Sequence, residues 1–509
     1  MNRGCRLIAL VILAAIVSKT TAAERPPDII VLMVDDMGFS DFGCYGSEIR
    51  TPNIDTLAAG GLRFSQFYNT GRCCPTRASL MTGLYPHQAG MGWMTRDLGH
   101  DGYRGELNNR CVTLAEVLQS AGYRTYMAGK WHLVHDRNKP TNGDKSNWPR
   151  QRGFDRFFGT ISGAGSFYTP ATLTRENTQT REFPEDFFYT DAINDTTARY
   201  IREHVEAFPD RPFFCYVAHT APHWPLHAKP QDIARYADRY RDGWDRLRAE
   251  RLKRMQRMGL IQNQWTLSPR DRRVPEWNKL SAKRKKRMAL KMAIYAAQID
   301  TVDQGIGRIV QTLKNTGRFD NTLFFILADN GGCAEGGNFG FDRKGNQGLG
   351  TDESFSSYGR GWANVSNTPF RRYKHWVHEG GIATPLIAHW PAGIPSQRNG
   401  SIEKQPSHLI DIMASCVEVS GATYPQQHNG QTIKPMAGRS LRPAFVGEGI
   451  QREALYWEHE GNRAVRAGPW KLVAKGKKGA WELYNMEADR SETNNLAAKM
   501  PDKVRKLAA

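Results

Sequence analysis

Asp28-Ile29-Ile30-Val31-Leu32-Met33-Val34 runs apolar without interruption after its first residue and stops on Asp35-Asp36. The run is β-branched and does not alternate with polar residues. That suits a strand buried on both faces, as in a parallel sheet covered by helices. Similar runs recur at Arg124 to Ala128, Phe213 to Ala218, Thr322 to Ala328 and Thr384 to His389. Helical patterns separate them. In Thr113 to Ser120, Leu114, Val117 and Leu118 share one face, and Gly122 closes the segment. Farther on, Met292, Tyr295, Ile299, Val302, Ile306, Ile309 and Leu313 step by three or four residues before Gly317. Strands alternating with helices define an α/β domain with a mostly parallel sheet.

A chain of 509 residues is too long for one small core, so a large domain with a smaller companion is expected. The large domain is assigned to residues 24–430 and includes a helical insertion at about 233–288. The insertion is rich in Arg, Lys and Trp. It carries Trp244, Leu247, Leu252 and Met255 at helical spacing and has an irregular middle around Pro269 and Pro275. Its aromatic and methionine stripe reads as packing. Residues 431–509 form a small α+β domain. Ala454 to Trp457, Arg463 to Val473 and Trp481 to Tyr484 are short β-prone runs for an antiparallel sheet, with a final helix expected from Glu492.

Arg3 and Arg6 precede the apolar run Leu7 to Val17, and small residues follow as far as Ala23. Residues 1–23 therefore read as a signal peptide cleaved near Ala23, which predicts export to the periplasm or the extracellular space. The run is well short of the roughly 20 residues that span a bilayer, so no stable membrane insertion is expected. With 40% hydrophobic and 24% charged residues, extensive disorder is excluded. The net charge of +19 fits anionic substrates, including sulfated polymers. The densest basic run, Lys283 to Arg287, reads as the solvated start of a helix, and no nucleic-acid partner is expected. Eight cysteines, Cys5 among them in the leader, make neither a disulfide framework nor a zinc pattern.

In open α/β sheets, ligands gather beyond the carboxyl ends of the strands. Here Asp35 and Asp36 follow the first strand, Lys130 and His132 the second, His219 and His223 the third, and Asp329 and Asn330 the fourth. A single Asp after a strand is usually a turn or a helix cap, but four such ends together point to a site. Three carboxylates and an amide are hard oxygen ligands that suit calcium or magnesium. Without a cation they would repel one another, although nearby lysines could offset that charge. An isolated Cys73 would read as a structural cysteine before a helix.

Cys73-Cys74-Pro75-Thr76-Arg77-Ala78-Ser79-Leu80-Met81-Thr82-Gly83 resembles the signature of type I sulfatases, in the alkaline-phosphatase-like superfamily and nearest their arylsulfatase-like branch. Thr76 replaces the commoner serine, which the signature tolerates. The resemblance runs from Pro27 to about Leu496. It takes in Gly129-Lys130-Trp131-His132, Ala221-Pro222-His223-Trp224-Pro225, Asp329-Asn330-Gly331-Gly332, Thr368 to Lys374 and Trp376 to Gly381. It implies a large, mixed, mostly parallel sheet sandwiched by helices, with a smaller C-terminal antiparallel sheet.

The resemblance further implies that a maturation enzyme oxidises Cys73 to Cα-formylglycine, whose hydrate is the nucleophile. One hydroxyl attacks sulfur and displaces an alcohol or phenol, and the other then lets sulfate leave as the aldehyde reforms. One calcium ion per chain would be held by Asp35, Asp36, Asp329, Asn330 and an oxygen of modified Cys73. Arg77 and Lys130 would hold the diol and sulfate, and Lys374 would bind sulfate oxygens. His132 would accept the proton for sulfate release, while His223 would protonate the leaving oxygen. The substrate is then a sulfate ester, from an aryl sulfate to a sulfated sugar or polysaccharide. Phosphate or phosphonate ester hydrolysis and silent binding of sulfated glycans are the competing expectations.

Overall fold

The computed structural model describes residues 25–343 and 348–509, so the expected signal peptide lies outside the described residues. An eleven-stranded sheet organises the larger part of the chain. Its strands are β1 (Asp28–Val34), β2 (Leu62–Tyr68), β3 (Arg124–Gly129), β4 (Arg156–Thr160), β5 (Leu173–Arg175) and β6 (Thr178–Gln179), followed by β7 (Phe213–Ala218), β8 (Thr322–Ala328), β9 (Ala383–His389), β10 (Ser401–Glu403) and β11 (Ser407–His408). The order is β10-β2-β9-β8-β1-β7-β3-β4-β5-β6, with β11 also on β2. From β8 to β4 neighbouring strands are parallel, whereas β9 runs antiparallel to both β8 and β2.

The central strand explains the layering. Ile30, Leu32 and Val34 face one core, together with Met292, Ile299 and Val302 of the helix Ala282–Asn315. Ile29, Val31 and Met33 face the other, against Leu114, Val117 and Leu118 of the helix Leu114–Ser120 and Ile412 of the helix Ile410–Ser420. Every residue of β1 is buried, as a continuous apolar run requires when helices cover both faces. Thr113 and Glu116 close a reciprocal capping box at the start of their helix. The basic run Lys283 to Arg287 forms the first turns of the long helix, which begins at Ala282 and is capped by Ser281. Among the described residues, no helix is long and apolar enough to cross a membrane.

The segment after Ile233 holds the helix Gly243–Arg257. Trp244 packs at 4.7 Å from Trp277 and 5.6 Å from Trp362, so the tryptophans are core, as expected. Arg251 is fully buried and reaches Asp41 at 2.5 Å and Glu48 at 2.8 Å. It ties this helix to the loop that follows the two aspartates after β1.

A hairpin of β12 (Gln427–His428) and β13 (Gln431–Thr432) precedes a separate four-stranded antiparallel sheet. Its strands, in spatial and chain order, are β14 (Leu455–His459), β15 (Asn462–Ala467), β16 (Trp470–Ala474) and β17 (Trp481–Asn485). The run Arg463 to Val473 is therefore two strands, broken at Gly468, whose φ of 53° makes the turn. The helix expected from Glu492 begins only at Pro501. Asp489 accepts backbone N–H bonds from Thr493 and Asn494, and these local bonds displace helical ones.

A buried charge cluster joins the two sheets. Glu379, just before β9, receives Lys471 of β16 at 2.8 Å and Arg490 at 2.9 Å. Burial alone would raise the Glu379 carboxyl, but the Lys471 and Arg490 charges bring it down from 4.5 to about 2. A depressed folded-state value stabilises the fold fully above about pH 4.5, and that contribution is lost as pH falls toward 2. Glu379→Gln should therefore destabilise the protein by about 3 to 5 kcal/mol at neutral pH, since buried Arg490 loses its carboxylate and Lys471 is left with Glu492 alone. The gap from wild type should narrow as unfolding is followed from pH 4.5 down. A pH-independent gap would contradict this account.

Candidate active site

Strand register brings the polar residues together. Val34 of β1 stands opposite Ala328 of β8, and Met33 opposite Ala218 of β7, which also faces Gly129 of β3. The four strands end level, so Asp35, Lys130, His219 and Asp329 emerge side by side at one edge. Gly129 has φ 117°, and a β-carbon there would lie 2.0 Å from the Ala218 carbonyl oxygen. Only glycine lets β3 close on β7 and still turn Lys130 inward. Asp36, His132, Arg372 and His375 all take left-handed backbone with φ from 58° to 87°, strain of the kind that gathers at functional sites.

Each carboxylate has its own cation. Lys130 Nζ is 2.5 Å from Asp35 Oδ2, and Arg77 Nη2 is 3.1 Å from Asp329 Oδ2 and 3.8 Å from Asp35 Oδ2. Lys374 Nζ lies 2.7 and 2.8 Å from the two oxygens of Asp36. All six side chains are buried. The mutual repulsion of the carboxylates is thus balanced by these three cations. Asp329 still has its carboxyl raised, first by burial and then by the neighbouring Asp35. Burial would also raise Asp36, but His223 and Lys374 hold it well below the usual range.

Cys73 opens the buried helix Cys73–Thr82, with Sγ 4.0 Å from Asp36 Oδ1. Arg77, one turn on, shares its face and also donates to the Lys130 carbonyl at 3.0 Å and to the Tyr216 hydroxyl at 3.2 Å. The Cys73 thiol is pushed far above its ordinary value, chiefly by burial and further by Asp329 and Asp35, against Lys130 and Lys374. It stays protonated at neutral pH and is a poor nucleophile as encoded.

His223 Nδ1 lies 2.7 Å from the Trp224 carbonyl oxygen, to which it donates, so Nε2 is the nitrogen turned to Asp36 (3.2 Å) and Lys374 (3.3 Å). Burial, with Lys374 and Lys130, lowers its pKa to about 4 against the pull of Asp36. His132 is buried against Gly163, its Nδ1 has no hydrogen-bond partner, and burial with the Lys130 charge lowers its pKa well below 6.5. Both rings are neutral at physiological pH and free to take up a proton.

Two buried oxygens, Asp35 Oδ1 and Asn330 Oδ1, have no hydrogen-bond partner. Asn330 Nδ2 donates to Asp36 Oδ1 at 2.7 Å, and the Asp36 N–H donates to Asp329 Oδ1 at 3.0 Å. The set is oxygen-rich, acidic and supplied with idle lone pairs, which fits a hard divalent cation. Asp35, Asp36, Cys73 and His223 also offer ligand atoms within 4.8 Å of one another. His219 is buried with both ring nitrogens unpartnered, and His87 and His378 pair with Glu458 and Glu482 at 2.6 and 3.5 Å.

The mouth of the site contains residues that sequence reasoning passed over. Arg72, Cys333, Glu335, Lys374, His375 and Trp376 line a pocket of about 270 Å³. Arg72 pairs with Glu335 at 3.3 Å, and Glu335 accepts the Trp224 indole N–H at 2.8 Å. These residues sit on loops without periodicity, and the only available signal was adjacency to Cys73, His223 and Lys374.

A family model described as Sulfatase matches residues 27–422, and one described as N-sulphoglucosamine sulphohydrolase, C-terminal, matches residues 371–507. An arylsulfatase of Klebsiella aerogenes is 34% identical over 465 residues, covering 87% of this chain and 96% of its own. An uncharacterised sulfatase of Schizosaccharomyces pombe is 33% identical over 527 residues, covering 96% and 93%. The crystal structure of Ps i-CgsB aligns with a TM-score of 0.68 at 25% identity, over 95% of this chain and 91% of that one. With the matched family spanning both the large sheet and the polar residues at its edge, the chain belongs to the sulfatase family, sulfuric ester hydrolases of the alkaline-phosphatase-like superfamily.

Proposed function

We propose that the protein is an exported, arylsulfatase-like enzyme that hydrolyses sulfate esters, sulfated sugars or polysaccharides among them, with a nucleophile made from Cys73 by a maturation enzyme. The observation that carries this reading is the placement of Cys73 against Asp36 inside a buried ring of three carboxylate–cation pairs. A thiol held protonated there has no evident use, whereas a hydrated aldehyde at the same position faces every group the reaction needs. In this reading residues 24–430 are the catalytic domain and residues 431–509 its companion.

Formylglycine at position 73 supplies a geminal diol, one oxygen for attack on sulfur and a second hydroxyl for release. A calcium ion held by Asp35, Asp36, Asp329 and Asn330 supplies Lewis-acid polarisation of a sulfate oxygen. The chain's own groups do the rest. Lys374 and Lys130, now resting on Asp36 and Asp35, turn to the sulfate oxygens once the carboxylates have another cation, and they stabilise charge developing there. Arg77 bridges Asp35 and Asp329 and holds the Lys130 backbone. With the anionic ester bound, His223 would first take up a proton at Nε2, which is bare in the neutral ring because Nδ1 carries the hydrogen, and would then pass it to the departing oxygen. His132, neutral and with Nδ1 free, accepts the proton whose loss expels sulfate.

The test is a rate comparison on an aryl sulfate and the matched aryl phosphate, using protein matured in cells that convert the cysteine. Sulfate should be preferred by roughly a hundredfold or more. A phosphate preference would move the protein to the phosphoester hydrolases of the same superfamily. Binding of a sulfated glycan with no release of sulfate would make it a silent binder.

A further inference from the structure

Beyond the catalytic pocket, three cations lack a counter-ion. Arg272, Arg372 and Lys475 line a second depression of about 530 Å³, which shares Arg273 and Tyr373 with the catalytic pocket, so the two lie side by side. Among the described residues, no carboxylate lies within ion-pair distance of these three side chains. The bordering acids are already engaged. Asp271 takes Arg273 at 2.7 Å and the Tyr373 hydroxyl at 2.8 Å, and buried Glu492 takes Lys471 at 2.8 Å.

Trp376 links the two depressions through the cations on its ring. It lines the catalytic pocket, and over its ring stand the Arg372 guanidinium at 5.0 Å and the Lys475 ammonium at 5.1 Å. Arg372 is half-buried, has φ 70°, and its pKa is lowered by burial and by the charge of Arg371, against the more distant pull of Asp271 and Glu482. A strained, half-buried cation without a direct counter-ion is stabilised by an anionic ligand. Lys374, the sulfate-binding candidate, lies two residues away, so the two side chains leave the same short stretch of backbone, one to Asp36 and the other to Trp376.

We propose that Arg372 and Lys475, positioned by Trp376, form a second anion subsite, and that the preferred substrate is a polyanionic oligosaccharide bearing a further sulfate or carboxylate next to the ester cleaved. The proposal rests on the sulfatase reading above and narrows it to substrates with at least two anionic groups.

The test compares KM for three matched oligosaccharides, singly sulfated, doubly sulfated and sulfated with one uronate, and for an aryl monosulfate. Wild type should favour a doubly anionic oligosaccharide by about tenfold or more, the equivalent of one charge-assisted bond. Arg372→Asn combined with Lys475→Ala should erase that advantage through KM and flatten its salt dependence, while the loss on the monosulfates stays within about twofold. Asn tolerates the left-handed backbone, and Lys475→Glu alone, on an exposed side chain, gives a second reading that does not risk the fold. Whichever doubly anionic oligosaccharide loses more identifies the second group as sulfate or carboxylate. Equal losses on all substrates, or none on the doubly anionic ones, overturns the proposal. Should no sulfate ester be cleaved at all, the sulfatase reading fails instead. The subsite is then judged by oligosaccharide affinity for Cys73→Ala protein, where no difference between Arg372/Lys475 variant and parent overturns it.

Discussion

Replacing Cys73 by alanine is expected to leave less than roughly 10⁻⁴ of wild-type kcat on any sulfate ester, with the fold intact. The substitution removes one buried sulfur atom at the first turn of a helix, whose hydrogen-bonding contact is a long one, to Asp36 at 4.0 Å. Little packing is lost, so circular dichroism and the unfolding midpoint should stay near wild type. Chemistry is lost entirely, because no neighbouring side chain can replace the nucleophile. Cys73→Ser should be nearly as inactive, since a single hydroxyl lacks the second oxygen that releases sulfate. The same reasoning makes activity proportional to maturation. Peptide mass spectrometry of an active preparation should find the aldehyde at position 73, and full activity with an unmodified thiol would falsify the assignment.

The second large effect is on stability. Arg77→Met should cost about 3 to 5 kcal/mol, since it strips two buried carboxylates, Asp35 and Asp329, of the guanidinium between them. It also removes the donors to the Lys130 carbonyl and the Tyr216 hydroxyl, which fasten the helix of Cys73 to β3 and β7. Asp329 already has a raised carboxyl with Arg77 present, so without it Asp329 should take up a proton or repel Asp35. The measurement is denaturant unfolding, where the midpoint should fall without a change in m. Arg77→Lys should recover part of the loss, because it restores charge but not the forked geometry that reaches four partners. A midpoint within error of wild type for Arg77→Met would show that the cluster is not held by this side chain.

Several elements were legible from local pattern alone. β1, β7 and β8 fall where their unbroken apolar runs lie, because a strand covered on both faces needs no polar residue anywhere along it. β2, Leu62–Tyr68, carries no such signal: Arg63 and Gln66 interrupt its apolar residues, so no continuous run marks it. The helix expected after Glu492 failed for a different reason. Propensity favoured it, but Asp489 captured the backbone donors first. The β9 run was recognised as a strand, yet its antiparallel direction depended on partners that lie far away in the chain.

By itself the sequence determined which residues are chemically able to act. A continuous β-branched run ending in two aspartates, a Cys-x-Pro-Thr-Arg segment, and the later Lys, His and Asp-Asn pairs are properties of the chain in order. Tertiary structure alone decided who stands beside whom. The order β8-β1-β7-β3 and its level register put Asp329 next to Asp35 and Lys130 within 2.5 Å of it, although Lys130 lies 95 residues away in the chain and Asp329 much farther. The counter-ion of each carboxylate, the free lone pairs of Asp35 and Asn330, and the unpaired cations beside the catalytic pocket follow from that arrangement. Charge interactions depend on distance through space and on burial. Neither is a property of position along the chain.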